Sequence, residues 1–435
     1  MLFAAYAATL GVDAGPGGAR YAGAEPHHLL AARSLADSSG LGLGDEYAAR
    51  AWRAWQAEPL ATDGEVVSGR LVEPHGIGLA LLVAPAYALG GATLVVLLLA
   101  AVAALAFVLG AALARRVVPD PWATWAALLV GLSPPALAAA TAVLPAAVAG
   151  ALLAGAALCA LRVRERPLMR DAFGGAALLA VLPWLDPWLL VPAAPLAVLL
   201  ARWTARRGRL VVALGTVEVQ LASLVFYVSL NERLYGGFTP LAIADEPVTG
   251  ASSAADYADR IPRLVLLWLE REAGLVRWAP VAALGFLGAW LLWRSRRTRL
   301  ARLVPEQRDA EHAAFLVLAV CAAQTLTAAF TARSLADLGA GLAVVLPCGV
   351  ALVAWGLRHA SRVGWALGAL GLVASVALVV GGAWDAEARA PWWPLVPVFP
   401  VAGSAWATVV WVGCLVFGGA LCVLELVRRR RELRR

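Results

Sequence analysis

Lysine is absent from this chain, and all 36 basic residues are arginine. Charge of either sign is scarce: 15% of the residues are charged and 61% are hydrophobic, where soluble globular chains carry about 25% and roughly 45–50%. Cysteine is sparse too. Cys159, Cys321, Cys348, Cys414 and Cys422 all lie within apolar segments, where they read as small buried hydrophobes rather than disulfide partners. The spacing of a zinc signature is missing, as is a glycine-rich phosphate loop. No internal repeat is visible, and no polar stretch is long enough to fold as a soluble domain. These absences exclude a soluble enzyme and a zinc-ribbon protein. The formal net charge of +7 does not point to nucleic acid, because the arginines sit in short loops between apolar runs instead of forming one basic face.

Long apolar runs such as Gly78–Ala114 and Gly364–Gly382 suffice to cross a hydrocarbon core of about 30 Å at 1.5 Å per residue. The expected architecture is an all-α, polytopic transmembrane helical bundle of about eleven or twelve spans, forming a single membrane domain over 1–435 and multi-pass in the plasma membrane. Polar loops fall at 12–75 and 231–263, and a basic tail at 428–435. Trp122–Gly131 and Ala136–Leu161 read as a hairpin broken at Ser133-Pro134-Pro135. A second hairpin, about Ala172–Leu185 and Trp188–Leu200, turns at Asp186-Pro187, and a further span covers Leu210–Leu230. Threaded this way, loops on one side hold 24 of the 36 arginines, which makes that side cytoplasmic and places both large polar loops outside. Met1–Gly11 is apolar but too short to span and has no positive start. It reads as the second half of a first helix. An in-frame upstream segment with arginine and more apolar residues is expected, and a stop codon there would refute that reading.

Function is expected on the outer face. Glu25-Pro26-His27-His28 opens a helix, with Pro26 at the first helical position and Glu25 as the cap before it. A carboxylate so placed accepts free backbone N–H groups and feels the positive helix end, both of which favour ionisation. Glu25 therefore reads either as a base, cation partner or ligand, or as a plain N-cap. His27 and His28 point about 100° apart on a helix and do not readily share one ion. Glu25, one of these histidines and His75 are able to converge, but no spacing requires it, so no metal ligands are assigned. Asp186 reads as a turn residue beside Trp184 and Trp188, and Asn231–Gly237 as a loop anchor or one side of a ligand cleft. Glu218 is the clear intramembrane acid, within snorkelling distance of Arg206–Arg209.

Several motifs in order resemble those of bacterial GT-C-type polytopic membrane glycosyltransferases. They are similar to an actinobacterial branch of the dolichyl-phosphate-mannose-protein mannosyltransferase-like group. The motifs are Glu25-Pro26-His27 with Gly44-Asp45-Glu46-Tyr47, then Pro74-His75-Gly76-Ile77-Gly78 leading to Ala84–Gly91, then Leu132-Ser133-Pro134-Pro135 and Leu182-Pro183-Trp184. Leu234-Tyr235-Gly236-Gly237 and Gly274–Pro280 follow, so the match runs from about Tyr21 to Arg362. The resemblance implies a polyprenyl-phosphate sugar donor in the membrane and an envelope glycan or protein acceptor at the outer face. In such proteins an acidic residue of the first outer loop commonly acts as base or helps to hold a metal; by position that residue is Glu25. His27, His75, Asp186, Tyr235 and Arg333 are the expected substrate-binding residues, and no cofactor is assigned. Two departures from the family pattern stand out: Ala24 occupies the place of an aspartate, and Phe330–Gly339 is shorter and poorer in aromatics, with Arg333 as the stand-in phosphate partner. They keep open a catalytically inactive GT-C-like scaffold or a lipid or solute transporter. The lack of two related halves counts against a transporter.

Overall fold

The computed structural model describes residues 1–12, 20–37, 40–55, 59–206, 208–244, 249–271, 274–295, 305–332, 341–381 and 399–433. Among them, six helices are long and apolar enough to cross a membrane: Ile77–Ala114, Ala146–Glu165, Pro187–Arg206, Leu210–Ile243, Ala310–Thr331 and Ser361–Gly381. A bent pair, Trp122–Gly131 and Pro134–Thr141, makes a seventh if counted as one span, and Pro280–Arg294 and Ala405–Leu421 are shorter apolar helices. Each apolar run of the sequence becomes helix, because a backbone without water must satisfy its own polar groups. Other apolar runs among the described residues make helices shorter than a full span, such as Leu346–His359. The last helix, Ala405–Leu433, runs on through the arginines that begin the basic tail.

The Ile77–Ala114 helix is the spine. Its 38 residues would reach about 57 Å if straight, nearly twice a hydrocarbon core. The Gly90–Gly91 pair resolves the excess: Gly91 has φ +62° and ψ −158°, outside helical space and accessible to glycine alone. The chain kinks there, leaving a membrane-length segment beyond it and an outer segment that packs beneath the Glu25–Ala36 helix. Elsewhere helices meet backbone to backbone. A Cβ added at Gly288 would strike the Leu352 carbonyl, and one at Gly356 the Leu284 carbonyl, so helices Ala283–Ser295 and Leu346–His359 approach through small residues, as helices do in lipid.

Proline makes two breaks in the chain after the spine. At Ser133-Pro134-Pro135 the chain bends by 66°, since proline starts helices well but cannot continue one. The expected Ala136–Leu161 helix is in fact two: Pro134–Thr141 ends at Ala142, which is extended, and Ala146–Glu165 begins after Pro145. The backbone N–H of Val143, in this gap, is left free for an outside partner.

The first outer loop contains the helices Glu25–Ala36 and Gly44–Ala48 and a 3₁₀ turn at Ala51–Ala54. It also forms a small antiparallel hairpin, Glu65–Val67 with Arg70–Val72, pairing Glu65 with Val72. Its two-residue turn, Ser68-Gly69, has φ of +52° and +78°, the left-handed pair that tight hairpins require. Among the described residues this hairpin is the strand structure, and it delivers Glu73 and His75 to the mouth of the spine helix. In the second outer loop the helix Leu210–Tyr235 runs past the expected end at Leu230 and stops at Gly236, φ +70°.

Candidate active site

Glu25 is the first residue of its helix, and the N-cap is Ala24, with no side-chain cap bond. The capping role expected of Glu25 is therefore corrected: its carboxylate reaches across the fold. Oε2 accepts the N–H of Val143 at 2.8 Å and Oε1 that of Ala22 at 3.3 Å. The break before Pro145 supplies the first donor, so a bend among the apolar helices serves the outer loop. Glu25 is only 4% exposed. Burial pushes its carboxyl up to about 7, against the two N–H bonds, which lower it. The ionised state expected from the helix end alone gives way to a group balanced between acid and base.

Three histidines gather at the start of the same helix and the entry to the spine. His27 and His28 are both buried, and both approach His75, with ring centroids 5.5 and 5.0 Å away. His27 Nδ1 lies 2.8 Å from Glu73 Oε1. Tyr47 donates its hydroxyl to the same oxygen at 2.5 Å and lies 3.1 Å from His27 Nδ1. On the other edge of the ring, His27 Nε2 is 3.6 Å from Asp63 Oδ2. Burial lowers the His27 imidazole, but the bond and charge of Glu73, with the charge of Asp63, outweigh it and hold His27 above its ordinary value. Burial likewise pushes Glu73 up, and its bond and charge pairing with His27, helped by Tyr47, bring it below the usual carboxylate range. His28 and His75 are both lowered, chiefly by burial, and so stay neutral at physiological pH.

A small open cleft runs between these groups, lined by His27, His28, Glu73, His75 and Tyr235 with apolar neighbours. The structure thus brings three expected substrate-binding residues, His27, His75 and Tyr235, to one place. The Tyr235 hydroxyl donates to the His75 carbonyl at 3.3 Å, tying the second outer loop to the first. Glu25 is not among the lining residues; it sits at i−3 from His28, on the same helix side. Asp186 is not among the lining residues; it follows Leu185, whose carbonyl packs against Gly76 of the lining, and accepts the Trp188 N–H at 2.8 Å as the cap of a 3₁₀ turn. Arg333 lies outside the described residues. The chain just before it is held by arginines of the second outer loop: Arg260 donates to the Phe330 carbonyl at 2.6 Å and Arg263 to the Ala332 carbonyl at 2.7 Å.

Sequence reasoning does not single out Glu73, Tyr47 or Asp63 as site residues. The first two stand in the runs Glu73-Pro74-His75 and Gly44-Asp45-Glu46-Tyr47, which carry a usable signal. Asp63 carries none, because only the folded hairpin brings it to His27.

No protein-family model matches the chain, and no curated protein matches it significantly. Two solved structures do. The apo crystal structure of ArnT from Cupriavidus metallidurans superimposes with a TM-score of 0.53 at 18% identity, covering 99% of this chain and 72% of that one. The crystal structure of the same protein bound to undecaprenyl phosphate gives 0.51 at 16%, with the same coverage. The likeness is one of fold, of the GT-C type, and it extends over nearly the whole chain.

Proposed function

We propose that this protein is a plasma-membrane glycosyltransferase that moves a sugar from a polyprenyl-phosphate donor to a cell-envelope glycan or protein acceptor on the outer face. The observation that carries the reading is a buried carboxylate, Glu25, opening the helix that bears His27 and His28, which line a cleft with His75 and Tyr235, within a fold like that of a protein crystallised with undecaprenyl phosphate. The acceptor hydroxyl loses its proton to Glu25 as its oxygen bonds to the anomeric carbon. The bond from that carbon to the phosphate oxygen breaks, and the polyprenyl phosphate departs with the bonding electrons. His27, His75 and Tyr235 hold the reacting groups. Arg333, next in sequence after Ala332, neutralises the phosphate through its planar fork; Asp186 shapes the turn beside the cleft mouth.

One observation favours a non-catalytic, GT-C-like scaffold or transporter: both Glu25 oxygens are already engaged by backbone donors and neither lines the cleft. Transfer of label from radiolabelled polyprenyl-phosphate sugars into envelope extract by the purified protein separates the readings. The transferase reading expects transfer by the native chain and its loss in Glu25→Gln. Unchanged turnover in Glu25→Gln removes Glu25 from the mechanism, and no transfer from any donor favours the scaffold.

A further inference from the structure

The groups around His27 leave a gap that the hydrogen bonds do not fill. Nδ1 of His27 is committed to Glu73. Its other nitrogen, Nε2, faces Asp63 Oδ2 at 3.6 Å, too far for a hydrogen bond. A ring nitrogen of His75 joins them: the three ligand-type atoms of His27, Asp63 and His75 all lie within 4.8 Å of one another. The Nε2 of His75 is buried without a hydrogen-bond partner, an uncommon state for a buried polar atom. We propose that His27, Asp63 and His75 bind a divalent transition-metal ion of the zinc class, with Glu73 holding the His27 ring in place from behind.

Two imidazoles and one carboxylate suit zinc and its neighbours rather than magnesium or calcium, which prefer oxygen. Around a tetrahedral ion with bonds of 2.0–2.1 Å, ligand atoms stand about 3.3 Å apart, close to the separation of His27 Nε2 from Asp63. From separations within 4.8 Å, closure on an ion takes side-chain movements of up to about 1.5 Å, and Asp63, whose side chain is 61% exposed, is free to adjust. A metal-bound histidine usually gives its other N–H to a carboxylate, and the His27–Glu73 contact is that arrangement. Adjacent helix positions diverge, and His28 accordingly stays out of the group. The three ligands come from the Glu25–Ala36 helix, the stretch before the hairpin and the entry to the spine helix. The ion therefore pins three separate segments of the outer loop over the cleft, and Glu25 is not among its ligands.

The metal site shares His27 and His75 with the transferase reading but does not rest on it, and its test reads binding rather than turnover. Protein purified in detergent without a histidine tag is stripped with chelator and titrated with zinc by calorimetry, then with cobalt by visible absorption. One ion per chain is expected, with the cobalt complex showing ligand-field bands. Asp63→Asn, at an exposed position, and His75→Gln each weaken zinc binding by at least 10-fold. Glu73→Gln weakens it about 10- to 100-fold, and His28→Gln leaves it unchanged. Zinc that fails to bind native protein overturns the proposal, as does equal affinity in Asp63→Asn and His75→Gln. Protein that binds zinc but transfers no sugar keeps this inference and loses the previous one.

Discussion

Replacing Glu25 with glutamine removes a carboxyl that folding buries, and the consequence for stability has a definite sign. The group's ordinary value is 4.5, and in the folded protein it rises to about 7. Below pH 4.5 the carboxyl is neutral in both folded and unfolded chains, and any stability tied to its protonation is fully present. Between 4.5 and about 7 the unfolded chain ionises while the folded one holds its proton, so stability falls as pH rises; above 7 the loss is complete. At about 1.4 kcal/mol per pH unit the loss totals about 3 kcal/mol. Glutamine has no such proton. It also gives up one of the two N–H bonds, because a single amide oxygen cannot serve both Val143 and Ala22, but that cost does not vary with pH. The melting temperature of native protein relative to Glu25→Gln should therefore drop by a few degrees between pH 5 and pH 8. A thiol-reactive dye that reports exposure of the fully buried Cys348 reads the transition. Melting curves whose separation is the same at both pH values would refute the claim that burial governs Glu25.

Val143→Pro deletes the N–H that Glu25 accepts, and the extended backbone of Ala142 tolerates a following proline; the midpoint of the Glu25-dependent pH profile should move above 7 in the same melting assay. Gly76→Ala places a Cβ 2.6 Å from the Leu185 carbonyl and 2.7 Å from that of Trp184, and this overpacking should cost about 1–3 kcal/mol. Because Gly76 follows His75, the same variant should also lower any activity that depends on the cleft.

The helical fold was legible because each apolar run has few conformational options in lipid. The proline break at 142–145 was hidden inside the Ala136–Leu161 run, where hydropathy stays high while the backbone turns. The histidine cluster was legible in part. Glu25, His27 and His75 stand in the motifs, but their partners come from a hairpin and a short helix whose docking no local pattern states. The ionisation of Glu25 was misjudged for a related reason. Helix-end electrostatics can be read from neighbours in sequence, whereas desolvation depends on what packs over the residue, here the gap between two membrane helices over 100 positions away.

The central claim is that the histidine and carboxylate cluster faces away from the cytosol, where a lipid-linked sugar and an envelope acceptor meet. In whole cells, with the exposed Cys414 replaced by serine, a membrane-impermeant thiol reagent tests it directly. A cysteine at Val66, a 70% exposed hairpin residue, should be labelled, and one at Arg170, whose side chain is 82% exposed, should react only after the membrane is opened. Labelling of Arg170→Cys from outside, with Val66→Cys protected, would contradict the account.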